Sequence, residues 1–101
     1  MERIVYLNGE FIPESEAKLS IFDRGLLFAD AVYEGFGIID GQLADFQGHM
    51  DRLDRSLGEL NIPAPMDWAK MLDVLMRLIK ENDQREGLLY LHVTRGQGDR
   101  I

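Results

Sequence analysis

Short apolar runs closed by turn residues mark strands along this chain, and two longer stretches carry apolar residues at helical spacing. The runs "IVYL" and "EFIP" flank Asn8-Gly9, and "AVYEGFGIID" and "QLADF" leave Asp40-Gly41 at the bend. Both dipeptides tolerate positive φ, the requirement of a two-residue hairpin turn, so two hairpins are expected. Between them "KLSIFDRGLLFAD" reads as loop with a short turn. Residues 47 to 60 place Met50, Leu53, Leu57 and Leu60 on one stripe, which predicts an amphipathic helix ended by "NIPAP". From Met66 to Asn82 a second helix is predicted. Its broad apolar face holds Trp68, Met71, Leu72, Leu75, Leu78 and Ile79, opposite Lys70, Asp73, Arg77 and Lys80. After Gly87, "LLYLHVT" has the length and composition of a strand.

The order hairpin, hairpin, helix, helix, strand predicts an α+β fold in which two helices cover a mainly antiparallel sheet. A chain of 101 residues without internal repeats suits one domain. The last strand runs into the polar, glycine-rich "RGQGDRI" with no closing element, so the polypeptide is expected to continue beyond Ile101. A net charge of −7 argues against general nucleic-acid binding, which depends on a basic surface to neutralise phosphates. A local arginine pocket for a single phosphate stays open. The absence of cysteine excludes thiol nucleophiles and thiolate metal sites within these residues. "MERIVYLNGEFIPESE" turns polar before a signal-peptide core could form, and no run approaches a membrane span, so the expected compartment is the cytoplasm.

Candidate chemistry begins on the first long helix, where His49, Arg52 and Ser56 share a face beside the leucine stripe. One reading makes Arg52 a side chain lying along the sheet with its head in water, and His49 a half-buried packing residue. The other makes Arg52 a guanidinium held at a cleft, where its fork can grip a phosphate or carboxylate. Alternation along residues 31–39 puts Tyr33, Gly35 and Gly37 on one strand face, with Val32, Glu34, Phe36 and Ile38 on the other. Two glycines beside a tyrosine cannot fill a core, so either a ligand or a closely packed helix approaches there. Glu34 sits among apolar residues and needs a partner, for which Arg24 in "FDRG" is the candidate. His49 and His92 lie on different elements without a local carboxylate cluster, so no metal site is expected. No serine lies in a G-x-S-x-G context, and no lysine looks like a catalytic amine.

Four stretches taken together, "YLNGEFIP", "SIFDRGLLFADAVYEG", "DGQLADFQGHMDRLDRS" and "LHVTRGQGDR", resemble the N-terminal domain of fold-type IV pyridoxal-phosphate enzymes. Within that family the combination of D-R-G, Y-E, H-x-x-R-L and T-R-G looks most like D-amino acid aminotransferase; branched-chain aminotransferases and aminodeoxychorismate lyases share much of this domain. The resemblance implies that Arg52 contacts the phosphate of pyridoxal 5'-phosphate, with His49 supporting the same region. It also implies that Tyr33 lines the substrate pocket and that Arg100 helps bind the substrate carboxylate across the interface of a homodimer. Gly37 stands where many relatives carry lysine or arginine. The family's Schiff-base lysine lies in a larger domain, expected beyond residue 101. The implied reaction exchanges an amino group between an amino acid, in this subfamily a D-amino acid, and a 2-oxo acid. These 101 residues alone are expected to be inactive. The alternative from another class is a free-standing interaction domain.

Overall fold

The computed structural model describes residues 2–98. Strands β1 (Ile4–Leu7) and β2 (Glu10–Pro13) come first, then a single 3-10 turn at Glu14–Glu16 and a short helix α1 (Arg24–Phe28). Strands β3 (Ala31–Ile39) and β4 (Gln42–Leu43) lead into helices α2 (Phe46–Leu60) and α3 (Trp68–Glu81), and β5 (Gly87–Thr94) closes the order. The α+β architecture with antiparallel strands is the expected one. The strands divide into a two-stranded ribbon, β1-β2, and a three-stranded sheet ordered β4-β3-β5.

Both hairpin turns lie at the expected dipeptides, with φ of 49° and 96° at Asn8 and Gly9, and 53° and 73° at Asp40 and Gly41. Positive φ at both central residues gives the turn a twist that matches the strands it joins. The Asp45 carboxylate caps α2 by accepting the Gly48 N–H, and Asn61 ends that helix in the left-handed region. Helix α3 starts at Trp68, two residues later than the apolar pattern suggests. The Asp67 side chain accepts the Lys70 N–H at 2.8 Å and sets that start.

The core lies between the helices and one face of the three-stranded sheet. Phe36 and Ile38 of β3, with Leu89 and Val93 of β5, meet Met50, Leu53 and Leu57 of α2 and Met71, Leu75 and Ile79 of α3. Phe36, Met50 and Leu53 have no exposed surface. Each such burial is worth about 1.5–3 kcal/mol, the main favourable contribution to holding the layers together. Two expectations fail in detail. Leu60 and Leu72 are exposed, whereas Val74, not named on the apolar face, is buried. The buried face of α3 is thus rotated towards Val74, because the helix must cover the sheet and the β1-β2 ribbon together. That ribbon is tied to α3 by Asn82, whose amide donates to the Ile4 carbonyl and accepts the Ile4 N–H, both at 2.9 Å. The Arg77 guanidinium also lies 3.9 Å above the Phe11 ring.

The opposite face of the three-stranded sheet is open. Tyr33, Ile39, Leu88 and Tyr90 are exposed on it, with His92 opposite Tyr33 and Tyr90 opposite Gly35 in the β3-β5 register.

Candidate functional site

Glu34 has a relative exposure of 2%, and it faces α2 from the middle of β3. A carboxylate in that position is costly unless its lone pairs are satisfied. Both of its partners come from α2. Arg52 donates from Nε to Glu34 Oε2 at 2.9 Å and from Nη2 to Oε1 at 2.8 Å, a bidentate pair. His49 Nδ1 lies 2.6 Å from the same Oε1. An ionised carboxylate only accepts, so Nδ1 carries the hydrogen of this contact. The His49 ring also packs 4.5 Å from the Phe36 ring, which fixes its plane.

The Arg24–Glu34 pair expected from the sequence is therefore corrected. Arg24 donates instead to Asp30, Nε to Oδ2 at 3.2 Å, and its guanidinium lies 5.0 Å from the centre of the Phe28 ring. Asp30 is six residues away on the same local turn, and it also accepts from Arg95 at 2.6 Å. Glu34 faces the middle of α2, which brings His49 and Arg52 to it, whereas the Arg95 that shares Asp30 reaches the end of that helix at Leu60 and Asn61.

The electrostatics follow this geometry. Hydrogen bonds from Arg52 hold the Glu34 carboxyl below its ordinary 4.5; burial opposes the shift and His49 adds to it. Glu34 in turn raises Arg52, with a smaller contribution from Tyr33. Hydrogen bonds from Arg95 first, then Arg24, hold Asp30 below its ordinary 3.8 against burial.

The expected residues His49 and Arg52 are thus brought together, on a partner that the sequence left with Arg24. The fork of Arg52 has one edge occupied. Its Nη1 has no hydrogen-bond partner among the described residues, and the side chain is 59% exposed. Both readings of Arg52 meet here, since the side chain is anchored yet presents an open donor edge. Tyr33 leaves β3 on the opposite face from Glu34, exposed and stacked 5.8 Å from His92. Of the two alternatives for its glycine neighbours, a tightly packed helix is not what covers them. The nearest contact for a side chain at Gly35 is the Tyr90 ring at 3.5 Å, and at Gly37 it is Ala44 at 3.8 Å, both ordinary spacings. Arg100 lies outside the described residues. Among the described residues no cluster could hold a metal ion, and no helix is long and apolar enough to cross a membrane.

Glu34 as the positioner of Arg52 was the part that the sequence did not yield. The available signal was that His49 and Arg52 are both donors, one turn apart, on the helix that follows the β3-β4 hairpin.

Comparison with known proteins shows what the chain is similar to. A family model described as amino-transferase class IV matches residues 31–101. The chain is 38% identical over 96 residues to D-alanine aminotransferase of Staphylococcus haemolyticus, covering 95% of this chain and 34% of that protein. It is 42% identical over 95 residues, 94% of this chain and 33% of the relative, to a Methanocaldococcus jannaschii protein provisionally named a branched-chain-amino-acid aminotransferase. The solved branched-chain aminotransferase of Escherichia coli superposes with a TM-score of 0.91 at 18% identity, covering 100% of this chain and 36% of that one. The 4-amino-4-deoxychorismate lyase of Pseudomonas aeruginosa superposes with a TM-score of 0.71 at 32% identity, covering 84% and 30%. The chain spans about a third of the length of the relatives it matches.

Proposed function

Because this chain belongs to the amino-transferase class IV family, we propose that it is the smaller domain of a longer pyridoxal-phosphate enzyme. In this reading a larger domain beyond residue 101 carries the reactive lysine, the whole protein is a homodimer, and this chain alone is inactive. The reaction exchanges an amino group between an amino acid and a 2-oxo acid.

One observation carries the reading: Glu34 holds the Arg52 fork so that one edge is locked and the other is free. A phosphate needs donors that are both charged and fixed in direction, and a guanidinium braced by a buried carboxylate meets both needs without losing side-chain freedom on binding. Glu34 and Arg52 cancel in formal charge. The anchor therefore works through the geometry of its donors, which a lysine cannot copy. Pyridoxal phosphate, when bound, supplies the electron sink for charge developing at the α-carbon of the amino acid. This chain's residues do the positioning: Arg52 takes the phosphate, His49 braces Glu34 at the oxygen that it shares with Arg52, and Tyr33 forms a wall of the substrate pocket. Arg100 takes the substrate carboxylate. The fit of the cofactor rests on the open donor edge of Arg52.

D-alanine aminotransferases among the relatives support a D-amino acid as donor. The 32% identity to an aminodeoxychorismate lyase favours lyase chemistry as the second reading. Assay of the full-length protein with D-alanine and 2-oxoglutarate, with L-leucine and 2-oxoglutarate, and with aminodeoxychorismate separates the activities.

Cofactor titration of the full-length protein by absorbance tests the anchor. Arg52→Ala is expected to weaken binding roughly ten- to a hundredfold, and Arg52→Lys to recover only part of the loss. Arg55, exposed on another face of α2, is the control. Equal losses in Arg52→Ala and Arg55→Ala, with folding intact by circular dichroism, would overturn the anchor.

A further inference from the structure

Among the described residues Asp23 and Glu34 are the buried charged side chains, and the cofactor site accounts only for Glu34. Asp23 joins two distant segments. Its Oδ1 accepts the Gly25 N–H at 2.8 Å, and its Oδ2 accepts the Thr94 hydroxyl at 3.1 Å. The Thr94 oxygen accepts the Gly96 N–H at 3.1 Å. The backbones join as well: Arg24 N–H donates to Gly96 O at 2.8 Å and Gly98 N–H to Phe22 O at 3.1 Å, either side of an antiparallel Asp23–Gln97 bridge.

Gly25 completes the grip by being absent of bulk. A Cβ there would lie 2.6 Å from Thr94 Cγ2, closer than side-chain carbons approach, and the Gly25 φ is not positive. Space, not backbone freedom, requires this glycine. The gripped loop, residues 95–98, contains Gly96 at a φ of 96° and Gly98. Two glycines give it little stiffness of its own, so its course is imposed by residues 22–25. It leaves β5 beside the end of the open face where Tyr33 stacks on His92, and it leads on to Arg100.

We propose that Asp23 and Gly25 are positioning residues for substrate-carboxylate binding, holding the 95–98 loop against the Tyr33 end of the sheet. The proposal rests on the reading that Arg100 takes that carboxylate, and it adds the residues that hold the loop preceding it. A carboxylate clamp displaced by about 1 Å loses on the order of a hundredfold in efficiency, so a loop of this composition needs such a grip.

The test uses the full-length holoenzyme and two measurements. The first is the rate of tryptic cleavage after Arg95 and Arg100, which reads the grip whatever the substrate. Gly25→Ala and Asp23→Ala are expected to speed cleavage. Thr94→Ser alone, which keeps the hydroxyl and removes Cγ2, should leave it unchanged, and Gly25→Ala with Thr94→Ser should return it towards wild type. The second is steady-state kinetics with D-alanine and 2-oxoglutarate. Gly25→Ala should raise KM for D-alanine about tenfold or more, change kcat less, and leave cofactor affinity within about twofold, with partial rescue by Thr94→Ser. Unchanged cleavage in both single variants overturns the positioning claim. So does a loss of KM, kcat and cofactor affinity together without rescue, the mark of general destabilisation. Faster cleavage with unchanged KM in an active enzyme overturns the carboxylate reading beneath it.

Discussion

Replacing Glu34 with glutamine keeps the shape of the side chain and removes its charge. The carboxylate accepts two hydrogen bonds from Arg52 and one from His49. A glutamine has one acceptor oxygen, and wherever its amide nitrogen sits it faces an N–H of Arg52, so donor meets donor. Hydrogen bonds to charged groups are worth about 1.5–3 kcal/mol each, and relief from burying a charge returns part of that. The expected net loss is about 2–4 kcal/mol, a fall of roughly 1–2 M in the urea midpoint of this chain. Glu59→Gln, on an exposed part of α2, is the control. The pH dependence gives a second check. The folded pKa of Glu34 is lowered from 4.5, so its contribution is fully present above that value and is lost as pH falls through the folded pKa. The gap between wild type and Glu34→Gln should be widest near neutrality and narrow below pH 4.5. A loss no larger than that of Glu59→Gln, or a gap that does not change with pH, would refute the buried bidentate pair.

Two further outcomes follow from the fold. Asn82→Ala removes both hydrogen bonds between α3 and β1, so it should cost about 1–2 kcal/mol and speed amide exchange at Ile4, with smaller changes in β5. Gly37→Ala meets only an ordinary contact with Ala44, so denaturant melts should show a neutral change or a gain of up to about 1 kcal/mol. A large loss there would mean that something in the chain packs directly on the strand.

The sequence by itself determined the local structure of this protein. Asn8-Gly9 and Asp40-Gly41 specify their turns because the positive φ they need is a property of those two residues, and the leucine stripe of α2 is a property of helical spacing. The strand alternation also placed Glu34 among the apolar residues and Tyr33 on the opposite face, while the structure decided that the latter is open. Which charge meets which was decided elsewhere. Glu34 pairs with residues 15 and 18 positions away, because α2 folds back over β3 and sets His49 and Arg52 beside it. Arg24, nearer in sequence than either, is taken by Asp30, with Arg95 sharing the same carboxylate. The exchange of Leu72 for Val74 in the core has the same origin, since periodicity gives a helix an apolar face and its neighbours choose the rotation. The grip of Asp23 on Thr94 spans 71 positions and has no counterpart in any local pattern. Propensity and spacing act over a few residues, whereas ion pairs and close approaches depend on where whole elements come to rest against one another, which only their packing sets.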